Sequence, residues 1–141
     1  MIRTGSAVWE GNLREGRGTV STESGVLRQS PYSFKSRFES APATNPEELI
    51  AAAHAGCYSM ALSGQLQGAG LTPERIETTA KVTLEKVGEG FTVTASHLVV
   101  TAKIPGADPG AFSKAADAAK AGCPISRLLN ATITMEATLA G

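Results

Sequence analysis

Two cysteines, Cys57 and Cys123, are the residues of this sequence with the clearest potential for chemistry. Cys57 lies in the segment AHAGCYSMA, whose small side chains would let a substrate or another backbone approach the thiol. Cys123 precedes Pro124, so we expect it at the N-cap of a short helix, PISRLL, where the helix dipole and free N–H groups favour a thiolate. In a reducing compartment such a pair is either two inert core thiols or a redox pair.

A reactive thiolate needs a nearby cation. Arginine suits this role better than lysine, because its guanidinium group stays charged when buried and presents a fixed set of donors. A buried arginine needs a carboxylate in turn, and the segment NPEEL offers Glu47 and Glu48. His54 lies one helical turn before Cys57, so Cys–His catalysis is a second interpretation, although no third residue that would orient the imidazole is evident.

The composition argues against several other classes of protein. Thirteen basic residues balance thirteen acidic ones and aromatic residues make up only 5%, so nothing favours a nucleic acid as partner. Two histidines and the lack of a CxxC motif argue against a zinc site, and we expect no cofactor. The start MIRTGSAVWEGN has no signal-peptide pattern, and no run of about 18 apolar residues could span a membrane. We therefore expect a soluble cytoplasmic protein.

The elements that must position these residues centre on one long helix. Asn45 is a good N-cap, Pro46 fits the first helical position, and Glu48 completes a capping-box pattern. The segment from Leu49 to Leu62 is apolar nearly all round, which is typical of a helix that is covered on every side. Several glycines between positions 64 and 70 end it.

Strands are predicted on both sides of this helix. Before it, SAVWEG and TVSTESGVL form a meander with PYSFKSRFE, whose alternation puts Phe34 and Phe38 on one face and Arg37 on the other. After it, ETTAKVTLEKV and FTVTASHLVVTAKI form a hairpin with a bulge near His97, and a helix capped by Asp108 leads to the final strand ATITMEATL. The order predicts an α+β fold of antiparallel sheets, a long central helix and a second helix, in a single domain over residues 1–141.

Four segments, GRGTVSTESGVL, PYSFKSRFE, NPEELIAAAHAGCYSMAL and KAGCPIS, closely resemble the OsmC branch of the OsmC/Ohr family of thiol-dependent peroxidases. The resemblance covers essentially the whole chain, including the order and spacing of both cysteines. It implies an intertwined homodimer with its sites at the subunit interface. It also implies that the protein reduces organic hydroperoxides, and hydrogen peroxide less well, and that an external dithiol recycles it, such as dihydrolipoamide or a lipoylated protein.

The resemblance also implies a role for each of four residues. The peroxidatic cysteine of the family falls on Cys57 and the resolving cysteine on Cys123, so the two would form an intramolecular disulfide. The arginine that stabilises thiolate and peroxide falls on Arg37. The glutamate that orients this arginine falls on Glu47.

Two arginines of the N-terminal loop are alternatives to Arg37, since the Ohr branch takes its arginine from that region. These are Arg14 and Arg17, in the segment GNLREGRG.

The length of the central helix adds a constraint on the site. Ten residues of α-helix span about 15 Å, so Glu47 and Cys57 of one straight helix cannot share a pocket. Either the helix is broken between them, or the site combines Glu47 of one subunit with Cys57 of another. No glycine or proline interrupts the segment between Pro46 and Ala55, which favours the second arrangement.

Two other functions compete with the peroxidase. One is a dimeric protein that binds an apolar ligand and uses its cysteines as a redox sensor. The other is a thiol hydrolase with Cys57 as acyl carrier, which would need no resolving thiol. His97 is expected to be structural, and Tyr58 and Met60 are expected in the core or a pocket wall.

Overall fold

The computed structural model describes all 141 residues, in six strands and four helices. The strands are β1 (Gly5–Glu10), β2 (Arg17–Thr22), β3 (Ser30–Tyr32), β4 (Arg75–Val87), β5 (Gly90–Lys103) and β6 (Thr132–Ala140). The helices are α1 (Phe34–Phe38), α2 (Pro46–Gly68), α3 (Pro109–Gly122) and α4 (Pro124–Leu128). The chain divides into two compact units, Met1–Leu49 and Ile50–Gly141. The single domain over residues 1–141 stays a prediction.

The first unit contains a three-stranded antiparallel sheet in the order β1-β2-β3. The rings of Trp9 and Tyr32 pack on one another with their centroids 5.4 Å apart. Gly18 lies beneath this pair, where a Cβ atom would collide with both rings, so only glycine allows the strand to pass.

The segment PYSFKSRFE is not the continuous strand that its alternation predicted. Strand β3 stops at Tyr32, and Phe34–Phe38 form the helix α1. The physical reason is a reciprocal cap: the Ser33 hydroxyl oxygen accepts from the Ser36 N–H at 3.1 Å, and the Ser36 hydroxyl oxygen accepts from the Ser33 N–H at 2.9 Å. This local bonding outweighs the two-residue periodicity.

Helix α2 begins at Pro46 as predicted. The Asn45 side-chain oxygen accepts from the Glu48 N–H at 2.8 Å, which confirms Asn45 as the cap, while the reciprocal bond from the Glu48 carboxylate does not form. The helix ends at Gly68, and Gly70 takes a positive φ of 77° in the turn that follows.

Helix α2 is covered on only one face within the chain. The buried residues recur every four positions: His54, Tyr58, Leu62 and Leu66. The opposite face carries small residues and Met60, which is 79% exposed. The expectation that this helix is covered on every side is therefore not met by a single chain.

The second sheet has the order β4-β5-β6. Strands β4 and β5 pair antiparallel, but β6 joins β5 in parallel, whereas the sequence predicted antiparallel sheets. The connection through α3 and α4 explains this, because a helical crossover returns the chain to the same end of the sheet. The α+β class itself is confirmed.

The bulge in the second sheet lies before the predicted position. Thr83 pairs with Ala95 and Leu84 pairs with Val93, so Thr94 is the extra residue on β5. Beyond Thr94, the even-numbered side chains of β5 face the core.

The core of the second unit lies between β5, α2 and α3. Helix α3 is capped by Asp108, whose carboxylate accepts from the Ala111 N–H at 3.0 Å, as predicted. The buried apolar residues are Tyr58, Leu62, Leu66, Leu98, Val100, Ala102, Ile104, Phe112, Ala115, Ala116, Ala119 and Cys123. None of the four helices combines the length and the apolarity that a membrane span requires.

Candidate active site

The two cysteines, far apart in sequence, meet in the second unit. The Sγ atoms of Cys57 and Cys123 lie 2.9 Å apart, and both thiols are reduced. Cys123 is 0% exposed, whereas Cys57 is half-buried. A disulfide needs a separation of about 2.05 Å, so a further approach of about 1 Å would join the sulfurs.

Cys123 occupies the junction of two helices. Its N–H donates to Ala119 O at 2.9 Å at the end of α3, and its carbonyl accepts from the Arg127 N–H at 3.1 Å at the start of α4. It is therefore the N-cap of α4, as the sequence predicted. Its side chain makes no capping hydrogen bond and faces Cys57 instead.

The surroundings of Cys57 in its own unit do not favour a thiolate. Burial raises the pKa of the Cys57 thiol, and the hydrogen bond with Cys123 raises the pKa further. The backbone N–H of Ile125 acts in the opposite direction and lowers the pKa. No cation of Ile50–Gly141 is among these influences, so this unit by itself keeps the thiol protonated.

A forked ion pair lies in the first unit. Arg37 Nη2 lies 2.8 Å from Glu47 Oε1, and Arg37 Nε donates to the same carboxylate at 3.1 and 3.3 Å. Arg37 is carried by the short helix α1, and Glu47 lies in the first turn of α2. The Arg37 side chain is 38% exposed and that of Glu47 is 12% exposed, so the carboxylate is the more deeply held partner. Two parallel bonds fix the plane of the guanidinium group.

The two alternative arginines have other partners. Arg14 lies over the Phe34 ring, with its guanidinium carbon 5.2 Å from the ring centroid. Arg17 pairs with Glu10 at 3.3 Å on the protein surface. Neither of them contacts Glu47.

A cavity of about 250 Å³ lies beside Arg37 in the first unit. Its lining is mostly aromatic and aliphatic, with the guanidinium group as its one charged member: Trp9, Leu13, Tyr32, Ser33, Phe34, Arg37 and Phe38. Such a lining suits an apolar molecule with one polar or anionic end.

His54 does not act on a thiol through its ring nitrogens, because serine hydroxyls occupy both of them. Nδ1 lies 2.7 Å from the Ser96 hydroxyl, and Nε2 lies 2.7 Å from the Ser126 hydroxyl. Sequence reasoning identified His54 as a candidate for Cys–His catalysis, but it identified neither Ser96 nor Ser126. Ser96 could have been found, because it shares the buried phase of β5 with Leu98, whereas nothing separates Ser126 from a surface serine in sequence.

The chain matches the family model described as OsmC-like protein over residues 38–138. It is 54% identical over 134 residues to Peroxiredoxin OsmC of Escherichia coli (strain K12), a match that covers 95% of this chain and 94% of that protein. Peroxiredoxin OsmC of Shigella flexneri matches with the same identity and coverage.

Solved structures share the fold at lower identity. An OsmC-like protein from Vibrio cholerae has a TM-score of 0.77 at 17% identity, covering 97% of this chain and 99% of that chain. The organic hydroperoxide resistance protein OhrB of Bacillus subtilis has a TM-score of 0.68 at 21% identity, covering 97% of this chain and 98% of that chain. At such identities the likeness concerns the fold alone.

Proposed function

This chain belongs to the OsmC family and is a cysteine-based peroxidase, and we propose that Cys57 and Cys123 carry its chemistry on organic hydroperoxides. The observation that carries the proposal is the 2.9 Å distance between the two sulfurs. Two inert core thiols need not lie close together, whereas a peroxidatic and a resolving thiol must come into contact to form a disulfide.

In the first step, the Cys57 thiolate attacks the distal oxygen of the hydroperoxide. A sulfur–oxygen bond forms, the oxygen–oxygen bond breaks, and the leaving alkoxide takes a proton to become an alcohol. Cys57 is thereby oxidised to a sulfenic acid, while the hydroperoxide is reduced.

In the second step, the Cys123 sulfur attacks the sulfur of the sulfenic acid. A disulfide forms within the subunit, and the hydroxyl group leaves with the thiol proton as water. The short distance between the sulfurs favours this step over further oxidation of Cys57 by a second hydroperoxide.

We assign Arg37 to stabilise the thiolate and the charge that develops on the peroxide oxygens, and Glu47 to orient Arg37. The forked ion pair supports this assignment, because a guanidinium group held in one plane is a preorganised donor. The raised pKa of Cys57 also supports it, since the thiol requires a cation that its own unit does not supply.

We further propose that the cation comes from a partner subunit in a homodimer. Helix α2 is continuous from Pro46 to Gly68, so the ten residues from Glu47 to Cys57 span about 15 Å of helix. The exposed small-residue face of α2 around Met60 supports a dimer, because it offers a helix surface that a second copy would cover.

The cavity beside Arg37 supports organic hydroperoxides as substrates in preference to hydrogen peroxide. Its aromatic walls would bind an apolar group, while the guanidinium group would bind the peroxide end. For the reductant we propose a dithiol such as dihydrolipoamide or a lipoylated protein, in keeping with the resemblance to the OsmC branch. We place the enzyme in the cytoplasm, where such dithiols keep cysteines reduced.

A coupled peroxidase assay tests the proposed function. The wild-type protein should reduce cumene hydroperoxide faster with dihydrolipoamide than with thioredoxin or glutathione, and faster than it reduces hydrogen peroxide. A Cys57→Ser variant should show no turnover. Substantial turnover by this variant would remove Cys57 from its role, and a wild-type disulfide that no dithiol reduces would point to a redox sensor instead.

A further inference from the structure

The buried imidazole of His54 joins three elements of the second unit. His54 is 0% exposed on α2, Ser96 lies on β5, and Ser126 lies on α4. Burial lowers the pKa of His54 below its ordinary value of 6.5, so the ring is neutral at pH 7. A neutral imidazole donates from one nitrogen and accepts at the other, and a hydroxyl can do either, so both hydrogen bonds are satisfied.

Helix α4 carries the groups that face the Cys57 sulfur. Cys123 is its N-cap, and the N–H of Ile125 in its first turn hydrogen-bonds Cys57. The position of α4 therefore sets both the distance between the two sulfurs and the backbone contact that stabilises negative charge on Cys57.

Only two side chains of α4 reach the interior: Ile125 packs against the core, and Ser126 is buried. The helix has only five residues, it begins with a proline, and Leu128 at its end is 73% exposed. The bond from Ser126 to His54 is the only hydrogen bond that a side chain of α4 makes. It connects α4 to α2 one helical turn from Cys57.

We propose that His54 and Ser126 are positioning residues for the resolving step, because their hydrogen bond holds α4 against α2. In this position of α4, the Cys123 sulfur and the Ile125 N–H both remain in contact with the Cys57 sulfur. Ser96 fixes the imidazole ring from the other side through Nδ1. The proposal rests on the proposed function, because a resolving step exists only if hydroperoxide oxidises Cys57. It assigns His54 no proton transfer to or from a thiol.

Removing the Ser126 hydroxyl should affect two measurable quantities. Attack of Cys123 on the sulfenic acid depends on alignment of the two sulfurs, so disulfide formation should slow by about tenfold or more. A weaker contact with the Ile125 N–H should also raise the pKa of the Cys57 thiol.

The test compares Ser126→Ala with two other variants. Ser126→Thr keeps a hydroxyl at the same position. Ser59→Ala removes a hydroxyl from α2 that bonds Ala55 O at 2.9 Å and Thr78 at 2.8 Å, and neither partner lies on α4, so it controls for the loss of a part-buried hydroxyl. Each protein is mixed with one equivalent of cumene hydroperoxide, quenched with acid at successive times, and analysed by intact mass. The sulfenic acid adds one oxygen, and the disulfide removes two hydrogens.

Slow disulfide formation in Ser126→Ala alone, with near wild-type rates in the other two variants, supports the proposal. A wild-type rate in Ser126→Ala overturns it, as does an equal loss in Ser59→Ala or no recovery in Ser126→Thr. If the wild-type protein itself forms no disulfide, the proposed function fails instead.

A second measurement distinguishes positioning from general loosening. In a Cys123→Ser background, the rate of Cys57 alkylation by iodoacetamide is followed against pH. The Ser126→Ala substitution should move the midpoint of this profile to higher pH, while Ser59→Ala should leave it unchanged. An unmoved midpoint in Ser126→Ala overturns the link through Ile125.

Discussion

At the scale of single residues, burial and reactivity conflict at Cys57. Burial protects a sulfenic acid from side reactions, but it also raises the pKa of the thiol and so reduces the thiolate that attacks the hydroperoxide. The forked pair of Arg37 and Glu47 offers a cation of fixed geometry that would offset this cost. In the proposed mechanism, the reactive thiol and the charge that activates it come from different parts of the chain.

The buried His54 leads to a prediction on the pH dependence of stability. Because its pKa in the folded protein is lowered below 6.5, the unfolded chain binds more protons as the pH falls through this value. The free energy of unfolding should therefore fall below pH 6.5, until the pH passes the pKa of the folded state. In His54→Gln no side chain titrates at this position, so the free energy of unfolding loses this dependence on pH.

Urea unfolding of both proteins under reducing conditions, at one protein concentration, checks this prediction. The stability difference between wild type and His54→Gln should be largest above pH 6.5 and should shrink as the pH falls. A difference that is constant or grows at acid pH would contradict it.

At the scale of elements, two of the four groups proposed to act in catalysis depend on short helices. Helix α1 carries Arg37 and α4 follows Cys123, and each has only five residues. Helices of this length are not stable by themselves, so local caps and single tertiary bonds determine where they lie. The Ser33 cap has this role for α1, as we propose for the Ser126 bond in α4.

Removing the cap of α1 should therefore cost stability. Ser33→Ala deletes the acceptor for the Ser36 N–H, and loss of such a cap typically costs about 1 kcal/mol. Ser33→Asp, which can still accept from this N–H, should retain most of the stability. Denaturant unfolding measures both effects, and an equal loss in the two variants would show that the capping bond is not the cause.

The elements also show what sequence could predict. The caps at Asn45 and Asp108 are local patterns, and the structure confirms them. Helix α1 was missed because a pair of serines outweighed a strand-like alternation. The parallel pairing of β6 was missed because strand direction depends on the whole connection from β5 and not on any local pattern.

Sequence reasoning likewise predicted some residues of the candidate site and missed others. The two cysteines were singled out by their neighbours in sequence and by family resemblance, whereas the pairing of Arg37 with Glu47 followed from the resemblance alone. The bonds of His54 to Ser96 and Ser126 were not, since they join residues from three elements whose packing no local pattern specifies. Tertiary contacts between polar residues are the part that sequence reasoning could not supply.

At the scale of the whole molecule, we propose that the active site is built from two chains. A dimer would bring Arg37 and Glu47 of one protomer to Cys57 of its partner, and would cover the exposed face of α2. Each dimer would then contain two sites, both of which depend on residues from both subunits.

Subunit complementation tests this arrangement. Arg37→Met and Cys57→Ser should each be inactive as homodimers. In a heterodimer obtained by co-expression, the wild-type Cys57 of one protomer would meet the wild-type Arg37 of its partner, so one site is complete and the other lacks both groups. Recovery of peroxidase activity in the purified heterodimer is the expected result. An inactive heterodimer would place Arg37 and Cys57 of the same chain in one site.

The central claim is that Cys57 is oxidised by an organic hydroperoxide and that Cys123 resolves it. Intact-mass measurement after one equivalent of cumene hydroperoxide tests this most directly. The wild-type protein should lose two hydrogens as the disulfide forms, and a Cys123→Ser variant should gain one oxygen as the sulfenic acid is trapped. A wild-type protein that gains oxygen, or whose mass does not change, would contradict the account.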